Sequence, residues 1–272
     1  MITARVIQGT ALTVCMSLVA VSAAAQATAT QKPFEPRVGQ EGKDVVWVPT
    51  PQETVDKMLE LAQITPQDVL LDLGSGDGIT VITAAKRGVR GHGVEYNPDM
   101  VELAKQRAAE AGVSDRATFV KEDLFETDLT KATVITMFLL PRINMELRPR
   151  LLDLKPGTRV VSNTFTMEDW EADETASTPD CTSWCTALLW IVPAKVEGTW
   201  QTEQGQLILD QQFQMVTGSL GGRALSEGRL RGAEISFNVG NARYTGKVNG
   251  ERITGSISGG NGRTWTATRT GK

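Results

Sequence analysis

Residues 51–192 alternate between short apolar runs and segments whose apolar positions recur at helical spacing. The apolar runs predict strands at residues 69–73, 91–96, 117–121, 133–139, 158–164 and 186–192. The helical spacing predicts helices at residues 51–63, 79–87, 98–111 and 144–154, the last kinked or divided by Pro149. Polar residues 167–183 predict a loop or a short helix. This alternation predicts an α/β, Rossmann-like, mostly parallel sheet with helices on both faces.

The pattern changes near residue 196, after which no helical period appears. Short alternating segments are instead separated by Gly and Asn, at residues 206–216, 229–237, 243–248, 252–257 and 264–268. The pair Asn249-Gly250 is typical of a tight hairpin turn. We therefore expect an α/β domain at residues 48–195, followed by an antiparallel β meander, a small sheet or partial barrel, at residues 196–272.

The N-terminal segment has the layout of a secretory signal peptide. Arg5 is the only charge before Lys32, an apolar stretch runs from Ala11 to Val21, and small residues follow it. We expect a signal at residues 1–27, an irregular segment at 28–47, and export to the periplasm or cell envelope without stable membrane insertion after cleavage. An uncleaved signal would leave a membrane-anchored protein.

Charge and reactive side chains narrow the function classes. The net charge of -4 and pI near 5.3 argue against a nucleic-acid partner, which would require a basic face. Beyond the signal, the cysteines are Cys181 and Cys185, which in an exported chain suggest a disulfide. A redox pair is the alternative, although the spacing is not that of redox motifs. With His92 the only histidine, we expect neither a metal site nor a Ser-His-Asp triad.

The predicted strand at 69–73 ends in a glycine loop, Gly74-Ser75-Gly76-Asp77-Gly78, that opens into a helix. This arrangement binds ligands at a helix N-terminus, and the glycines permit close backbone approach. An acid that binds ribose hydroxyls is expected about 20 residues later, where Glu95 ends the second predicted strand. Asp123 follows the third strand, where an acid can bind an adenine amino group. The combined spacing predicts a nucleoside-containing cofactor.

Charge distinguishes between the candidate cofactors. Asp72 and Asp77 would repel the pyrophosphate of a dinucleotide, and Ile79 stands where a dinucleotide motif needs Gly or Ala. S-adenosylmethionine has no phosphate, and its sulfonium and ammonium groups are cations that nearby acids stabilise. The sequence therefore predicts S-adenosylmethionine as cofactor.

With these residues at these spacings, the chain resembles class I S-adenosylmethionine-dependent methyltransferases over about residues 45–195. Three segments, at residues 48–51, 72–78 and 136–141, are similar to the lysine methyltransferases that act on the mitochondrial ATP synthase c-ring protein and adenine nucleotide translocase, with their bacterial relatives. That resemblance implies N-methylation of a protein lysine. The implied cofactor-binding residues are Thr50, Asp72, Gly74, Ser75, Gly76, Asp77, Gly78, Glu95, Tyr96, Asp123 and Leu124.

In such enzymes the loop after the fourth strand faces the transferable methyl group, which here implies a substrate rim at Leu139, Leu140 and Pro141. The second rim follows the fifth strand, at residues 165–170. There Asp169 is a candidate to orient a cationic amine and Trp170 to line its channel. The alternative is that Asp169 is a surface charge and Trp170 a packing residue.

Three function classes remain open from the sequence. The chain is an active methyltransferase on protein lysine, a methyltransferase on a small molecule or lipid, or an exported, non-catalytic protein that retains the fold. The export signal favours the third class, because S-adenosylmethionine is made in the cytoplasm. The sequence identifies no general base and no oligomeric state.

Overall fold

Two β-sheets follow one another along the chain in the computed structural model, which describes residues 1–3, 34–179, 181–258 and 263–271. Residues 34–272 form one compact unit. Most of the predicted signal peptide lies outside the described residues, so export stays a prediction. In the described part of the chain, no helix has both the length and the apolar character needed to cross a membrane.

The first sheet has seven strands in the order β3-β2-β1-β4-β5-β7-β6. They are β1 (Val69–Leu73), β2 (Arg90–Glu95), β3 (Ala117–Lys121), β4 (Val134–Met137), β5 (Arg159–Asn163), β6 (Glu174–Ser177) and β7 (Thr186–Ile191). Strands β1 to β5 pair in parallel, whereas β7 runs antiparallel to β5 and β6 antiparallel to β7. The strand order reverses between β1 and β4. Ligands in such sheets bind beyond the carboxyl ends of the strands at that point.

Helices cover both faces of this sheet, which confirms the predicted fold class. They are α1 (Gln52–Leu61), α2 (Ile79–Lys86), α3 (Pro98–Glu110) and α4 (Pro141–Leu152). Helices α1, α2 and α3 share one apolar core and α4 packs in the core on the opposite face. As predicted, Asn97 caps α3, accepting a 2.9 Å hydrogen bond from the Asp99 amide.

Helix α4 differs from its prediction, since it begins at Pro141 and continues through Pro149. Pro141 occupies the first turn, where its missing amide costs nothing. Ile143, Leu147 and Leu151 are fully buried along one side of the helix. Their burial stabilises the helix by more than the loss of the Pro149 amide destabilises it.

The second sheet closes on itself as an antiparallel barrel. Its strands are β8 (Gly198–Thr202), β9 (Gly205–Gln212), β10 (Met215–Leu220), β11 (Arg223–Ala224), β12 (Ser226–Arg231), β13 (Glu234–Val239), β14 (Ala242–Asn249), β15 (Arg252–Ser258) and β16 (Arg263–Gly271). Consecutive strands pair from β8 to β11 and from β12 to β16. The barrel closes because β10 also pairs with β12 and β16 pairs with β8. The predicted hairpin at Asn249 and Gly250 joins β14 to β15. Large side chains, among them Trp200, Phe237 and Trp265, fill the barrel interior.

The barrel docks on the β6–β7 side of the first sheet. The Phe213 ring, in the β9–β10 turn, stacks 5.9 Å from the Trp170 ring. Arg229 of β12 makes a 2.7 Å ion pair with the Asp173 carboxylate, whose side chain is 1% exposed. The same carboxylate accepts a 2.8 Å hydrogen bond from the Ile191 amide. An apolar stack and an ion pair between an exposed arginine and a buried carboxylate therefore join the two sheets.

Candidate active site

A cleft lies beyond the carboxyl ends of β1 to β5. Its walls are the glycine loop after β1, the ends of the neighbouring strands, and residues 40–50, which precede α1. Most of the predicted cofactor-binding residues line it: Thr50, Asp72, Gly74, Ser75, Gly76, Asp77, Glu95, Tyr96, Asp123 and Leu124. Among the rim residues, Leu139 and Leu140 also line the cleft. The structure thus brings together residues that lie up to 90 positions apart in the chain.

Glu95 holds the glycine loop against the end of β2. One carboxylate oxygen accepts a 3.0 Å hydrogen bond from the Gly76 amide, and the other accepts a 2.9 Å bond from the Asn97 amide. The Gly74 and Ser75 amides both donate to the Val94 carbonyl at 2.9 Å. The loop is therefore preorganised by hydrogen bonds to the strand that carries Glu95, the acid predicted to bind ribose.

Asp72, the last-but-one residue of β1, is a buried carboxyl that lines the cleft. It accepts a 2.6 Å hydrogen bond from the Thr136 hydroxyl of β4. Burial is the main reason why the pKa of Asp72 rises to about 7; the Thr136 bond opposes the shift, and the charges of Asp77 and Glu95 add to it. A bound cation would relieve this penalty on the ionised form.

Asp77 lines the cleft as predicted, and it also makes contacts within the protein. It is paired with Arg107 of α3, and its other oxygen accepts a 3.3 Å bond from the Ile79 amide at the start of α2. The Arg107 guanidinium offsets its charge, so Asp72 is the less compensated of the two aspartates.

Gly78 does not line the cleft, although the sequence placed it in the cofactor-binding set. Its φ of +83° favours glycine, and a Cβ there would lie 2.8 Å from the Phe119 ring and 2.9 Å from the Ala104 methyl. Gly78 therefore lets the loop pack against β3 and α3. Pro141 likewise lies outside the cleft lining, because it forms the first turn of α4.

Asp169 and Trp170 are not in the cleft, which corrects their assignment as catalytic candidates. Asp169 is exposed and paired with Arg148, whose hydrogen bond lowers the pKa of the Asp169 carboxyl. Trp170 is fully buried in the core against the Trp190 and Phe213 rings. The alternative interpretation of the sequence is therefore the one that fits: Asp169 is a surface charge and Trp170 is a packing residue.

The segment before α1 contributes side chains that sequence analysis did not identify. Lys43 makes a 2.5 Å ion pair with Asp123, and its hydrogen bond lowers the pKa of that carboxyl. The Lys43 ammonium also lies 5.3 Å from the centre of the Tyr96 ring. Trp47 lies against the glycine loop, since a Cβ on Gly76 would be 2.6 Å from its indole nitrogen.

Three aromatic rings line the other end of the cleft, and we call them the aromatic wall. Phe138 follows β4, Phe165 follows β5, and Trp184 lies in the loop between β6 and β7. Their centroids are 5.3–5.8 Å apart, and each ring is half-buried. Phe138 and Phe165 lie in or beside the predicted rims, whereas the sequence analysis did not predict Trp184 as a site residue. The one feature that could have indicated Trp184 is its place between Cys181 and Cys185, which form a disulfide in the structure.

The donor set fits S-adenosylmethionine. Buried Asp72 suits a cationic ligand, and Glu95 and Asp123, the acids predicted to bind ribose and adenine, line the same cleft as the glycine loop. The Ser75 hydroxyl is buried without a hydrogen-bond partner in the described part of the chain. A polar ligand in the cleft would add a partner to this loop. Within the described ranges, no group of three or more His, Cys, Asp or Glu side chains is placed to hold a metal ion.

Comparisons with known proteins support this assignment. The model of the ANTKMT methyltransferase domain matches residues 72–174. A protein-lysine N-methyltransferase of Saccharolobus islandicus is 42% identical over 151 residues, 54% of this chain and 94% of that protein. The adenine nucleotide translocase lysine N-methyltransferase of Mus musculus is 34% identical over 129 residues, and this match spans 47% of this chain and 56% of that protein.

A solved structure also supports the methyltransferase fold. The RNA methyltransferase of Salinibacter ruber in complex with S-adenosyl-L-homocysteine is 48% identical, with a TM-score of 0.51, and the match covers 55% of this chain and 96% of that one. The long match to the Saccharolobus enzyme decides the family. This chain belongs to the ANTKMT methyltransferase family, which confirms the resemblance to S-adenosylmethionine-dependent methyltransferases.

Proposed function

We propose that this chain transfers a methyl group from S-adenosylmethionine to the side-chain nitrogen of a protein lysine. The observation that carries the proposal is the 42% identity to a protein-lysine N-methyltransferase over 94% of that enzyme's length. The family match at residues 72–174 supports it, because these residues include both the glycine loop and the strand ends that bear the substrate rim.

Charge supports a cationic acceptor over a nucleic acid. Residues 34–195 carry 26 Asp and Glu against 17 Lys and Arg. This acidic balance attracts a lysine-bearing substrate and repels a polyanion. It therefore favours the lysine acceptor over RNA, the substrate class that the Salinibacter relative's name gives.

Alignment and solvation are the contributions that the cleft offers to the reaction. A bound S-adenosylmethionine would supply a methyl group on a positively charged sulfur. The lysine ammonium would first lose a proton to water, and its neutral nitrogen would then accept the methyl group while S-adenosylhomocysteine leaves. Asp72 offers a carboxylate to the cofactor's positive charge. The aromatic wall excludes water from the acceptor, which favours the neutral amine. Because the leaving group is already good, holding the two reactants in line supplies much of the rate.

The test is transfer of a labelled methyl group in a cell-envelope extract incubated with the purified chain. We expect the label in protein, removed by protease, and recovered as methyl-lysine by mass spectrometry. Glu95→Ala serves as the inactive control. Label found only in RNA or in extracted lipid would overturn the lysine proposal, and in either case the family assignment would stand.

We also propose that the chain is exported. The charge and apolar pattern of residues 1–27 support this, as does a disulfide between Cys181 and Cys185, because such bonds persist in oxidising compartments. Cell fractionation with N-terminal sequencing tests it. We expect a chain in the envelope or periplasm that begins near residue 28; full-length protein in the cytoplasm would contradict export.

A further inference from the structure

The aromatic wall lies at the opposite end of the cleft from the acids that bind the cofactor. The sheet order is β3-β2-β1-β4-β5-β7-β6. Asp123 follows β3, Glu95 ends β2 and the glycine loop follows β1, whereas the wall residues follow β4 and β5 or precede β7. The cleft therefore has a polar end for the cofactor and an aromatic end for whatever receives the methyl group.

Trp184 reaches the wall through a loop that is fixed in several ways. The disulfide between Cys181 and Cys185 encloses it, with Cα atoms 5.6 Å apart. Its carbonyl accepts a 3.1 Å hydrogen bond from the Thr54 hydroxyl of α1, and the Cys185 carbonyl accepts a 2.8 Å bond from the Thr178 amide. These three contacts restrain the loop at Cys181, Trp184 and Cys185.

The backbone at Trp184 is strained, with φ at +59°. A bulky residue in this left-handed region is unfavourable and persists only where its surroundings enforce it. The covalent loop and the Thr54 bond are those surroundings. The loop lies beyond residues 72–174, the part of the chain that the family model matches.

Aromatic rings bind alkylammonium groups. The ring faces attract a cation, and their apolar surface packs against the methylene stem of a lysine. Because the three centroids lie within 5.8 Å of one another, the rings form a continuous surface along which a side chain can lie. Such a surface attracts the charged lysine and also desolvates it, which favours loss of the proton before transfer.

We propose that Phe138, Phe165 and Trp184 bind the alkylammonium side chain of the methyl acceptor, and that the bond between Cys181 and Cys185 holds Trp184 in the wall. This rests on the proposed lysine methylation. It adds that acceptor binding, but not cofactor binding, requires the disulfide.

The kinetic test uses a short lysine peptide as acceptor. For Trp184→Ala we expect KM for the peptide to rise about tenfold, in line with loss of a cation–π contact and its apolar surface, while the Kd of S-adenosylmethionine stays within twofold. Trp184→Phe should restore most of the affinity. Ile208→Ala, on the exposed surface of the barrel, is the matched control and should leave both constants unchanged. An unchanged KM in Trp184→Ala would overturn the proposal.

The disulfide is tested by reduction. We expect a mild reductant to raise KM for the peptide several-fold in the wild type and to have no effect on a Cys181→Ser, Cys185→Ser double variant, whose KM is already raised. A reduced wild type with the KM of the oxidised protein would refute the role of the bond.

Direct binding separates this proposal from the proposed function. With S-adenosylhomocysteine bound, the lysine peptide and a trimethyllysine peptide should shift the Trp184 indole resonance, which is identified by its loss in Trp184→Phe. A norleucine peptide, which lacks the charge, should shift it less. Binding without methyl transfer would defeat the proposed function alone. Transfer with equal shifts from all three peptides would defeat the ammonium-binding wall alone.

Discussion

The cofactor end of the cleft consists of carboxylates and backbone amides, whereas the acceptor end consists of three aromatic rings. Glu95 accepts hydrogen bonds from the Gly76 amide of the glycine loop and from the Asn97 amide, so its position is set by short, directional contacts. The aromatic wall is set by packing and by one covalent loop. Directional contacts fix one ligand closely, while an aromatic surface accepts related ligands. We therefore expect substitutions in the aromatic wall to change which substrate is methylated without loss of cofactor binding.

The largest expected effect comes from breaking the cofactor end at Glu95. Glu95→Ala removes the acceptor for the Gly76 and Asn97 amides as well as the carboxylate that faces the ribose position. Losing charge-assisted bonds of this kind costs about 2–3 kcal/mol, which is a loss of roughly 100-fold in affinity for S-adenosylmethionine. Calorimetry measures it. Glu95→Gln keeps an acceptor for one amide, so its affinity for S-adenosylmethionine should lie between those of the wild type and Glu95→Ala. A folded Glu95→Ala variant with wild-type affinity would contradict the role of Glu95 at the cofactor end.

A second large effect is expected from pH, acting through Asp72. Its carboxyl must ionise to stabilise a cation, and burial raises its pKa to about 7. Affinity for S-adenosylmethionine should therefore fall as pH drops below about 7, approaching tenfold per pH unit. Asp72→Asn should bind weakly with a flatter pH profile over the same range. A wild-type affinity that stays constant from pH 5 to 8 would show that Asp72 does not face the cationic part of the ligand.

The same carboxyl makes the opposite prediction for stability without cofactor. Its folded pKa lies above the ordinary value of 3.8, so between pH 4 and 7 the folded state holds more protons than the unfolded state. Stability must then decline as pH rises through this window. Urea unfolding of the wild type should show the decline, and Asp72→Asn should reduce it. If the free energy of unfolding changed with pH equally in the wild type and in Asp72→Asn, the Asp72 carboxyl would not be protonated in the folded state over this range.

A smaller effect is expected where the segment before α1 meets the cofactor end. Lys43 forms an ion pair with Asp123, and its ammonium group lies over the Tyr96 ring. Both Asp123 and Tyr96 are expected to contact the adenosine part of the cofactor. Lys43→Ala should free Asp123 and tighten cofactor binding by up to about fivefold, since exposed ion pairs are weak. Lys57→Ala, which removes an ion pair on α1, is the control. Weaker binding in Lys43→Ala would show instead that Lys43 closes over the bound cofactor.

The cofactor end could be predicted from the sequence because each of its acids lies at, or within two residues of, the carboxyl end of a strand or in the glycine loop. The spacing from Gly74 to Glu95 encodes one strand–helix–strand unit, and the structure places the two together through the Gly76 amide. Strands β1 and β3 have their predicted bounds because short apolar runs between turn residues carry a strong local signal. The polar edge strand β6 carried no such signal, and the loop prediction there was wrong.

The acceptor end could be predicted only in part: Leu139, Leu140 and Phe165 lie in the predicted rims, whereas the placement of Trp184 depends on distant partners. Trp184 is positioned by Thr54, 130 residues earlier. Trp170 follows the fifth strand as a rim residue would, yet the chain turns back between Met167 and Trp170 and buries the ring. Phe213, which stacks on it, belongs to the barrel. No periodicity within either segment encodes these contacts.

The smallest expected effect sets the limit of the acceptor end. Asp169 is exposed and paired with Arg148, and it does not line the cleft. Asp169→Ala should leave kcat/KM for a lysine peptide within twofold of the wild type, in contrast to the change expected for Trp184→Ala. Thermal unfolding supplies the control, because the variant should also melt close to the wild type. A large loss of kcat in a folded Asp169→Ala protein would mean that the loop after β5 moves toward the cleft during the reaction, and the acceptor end would then include a carboxylate beside its aromatic wall.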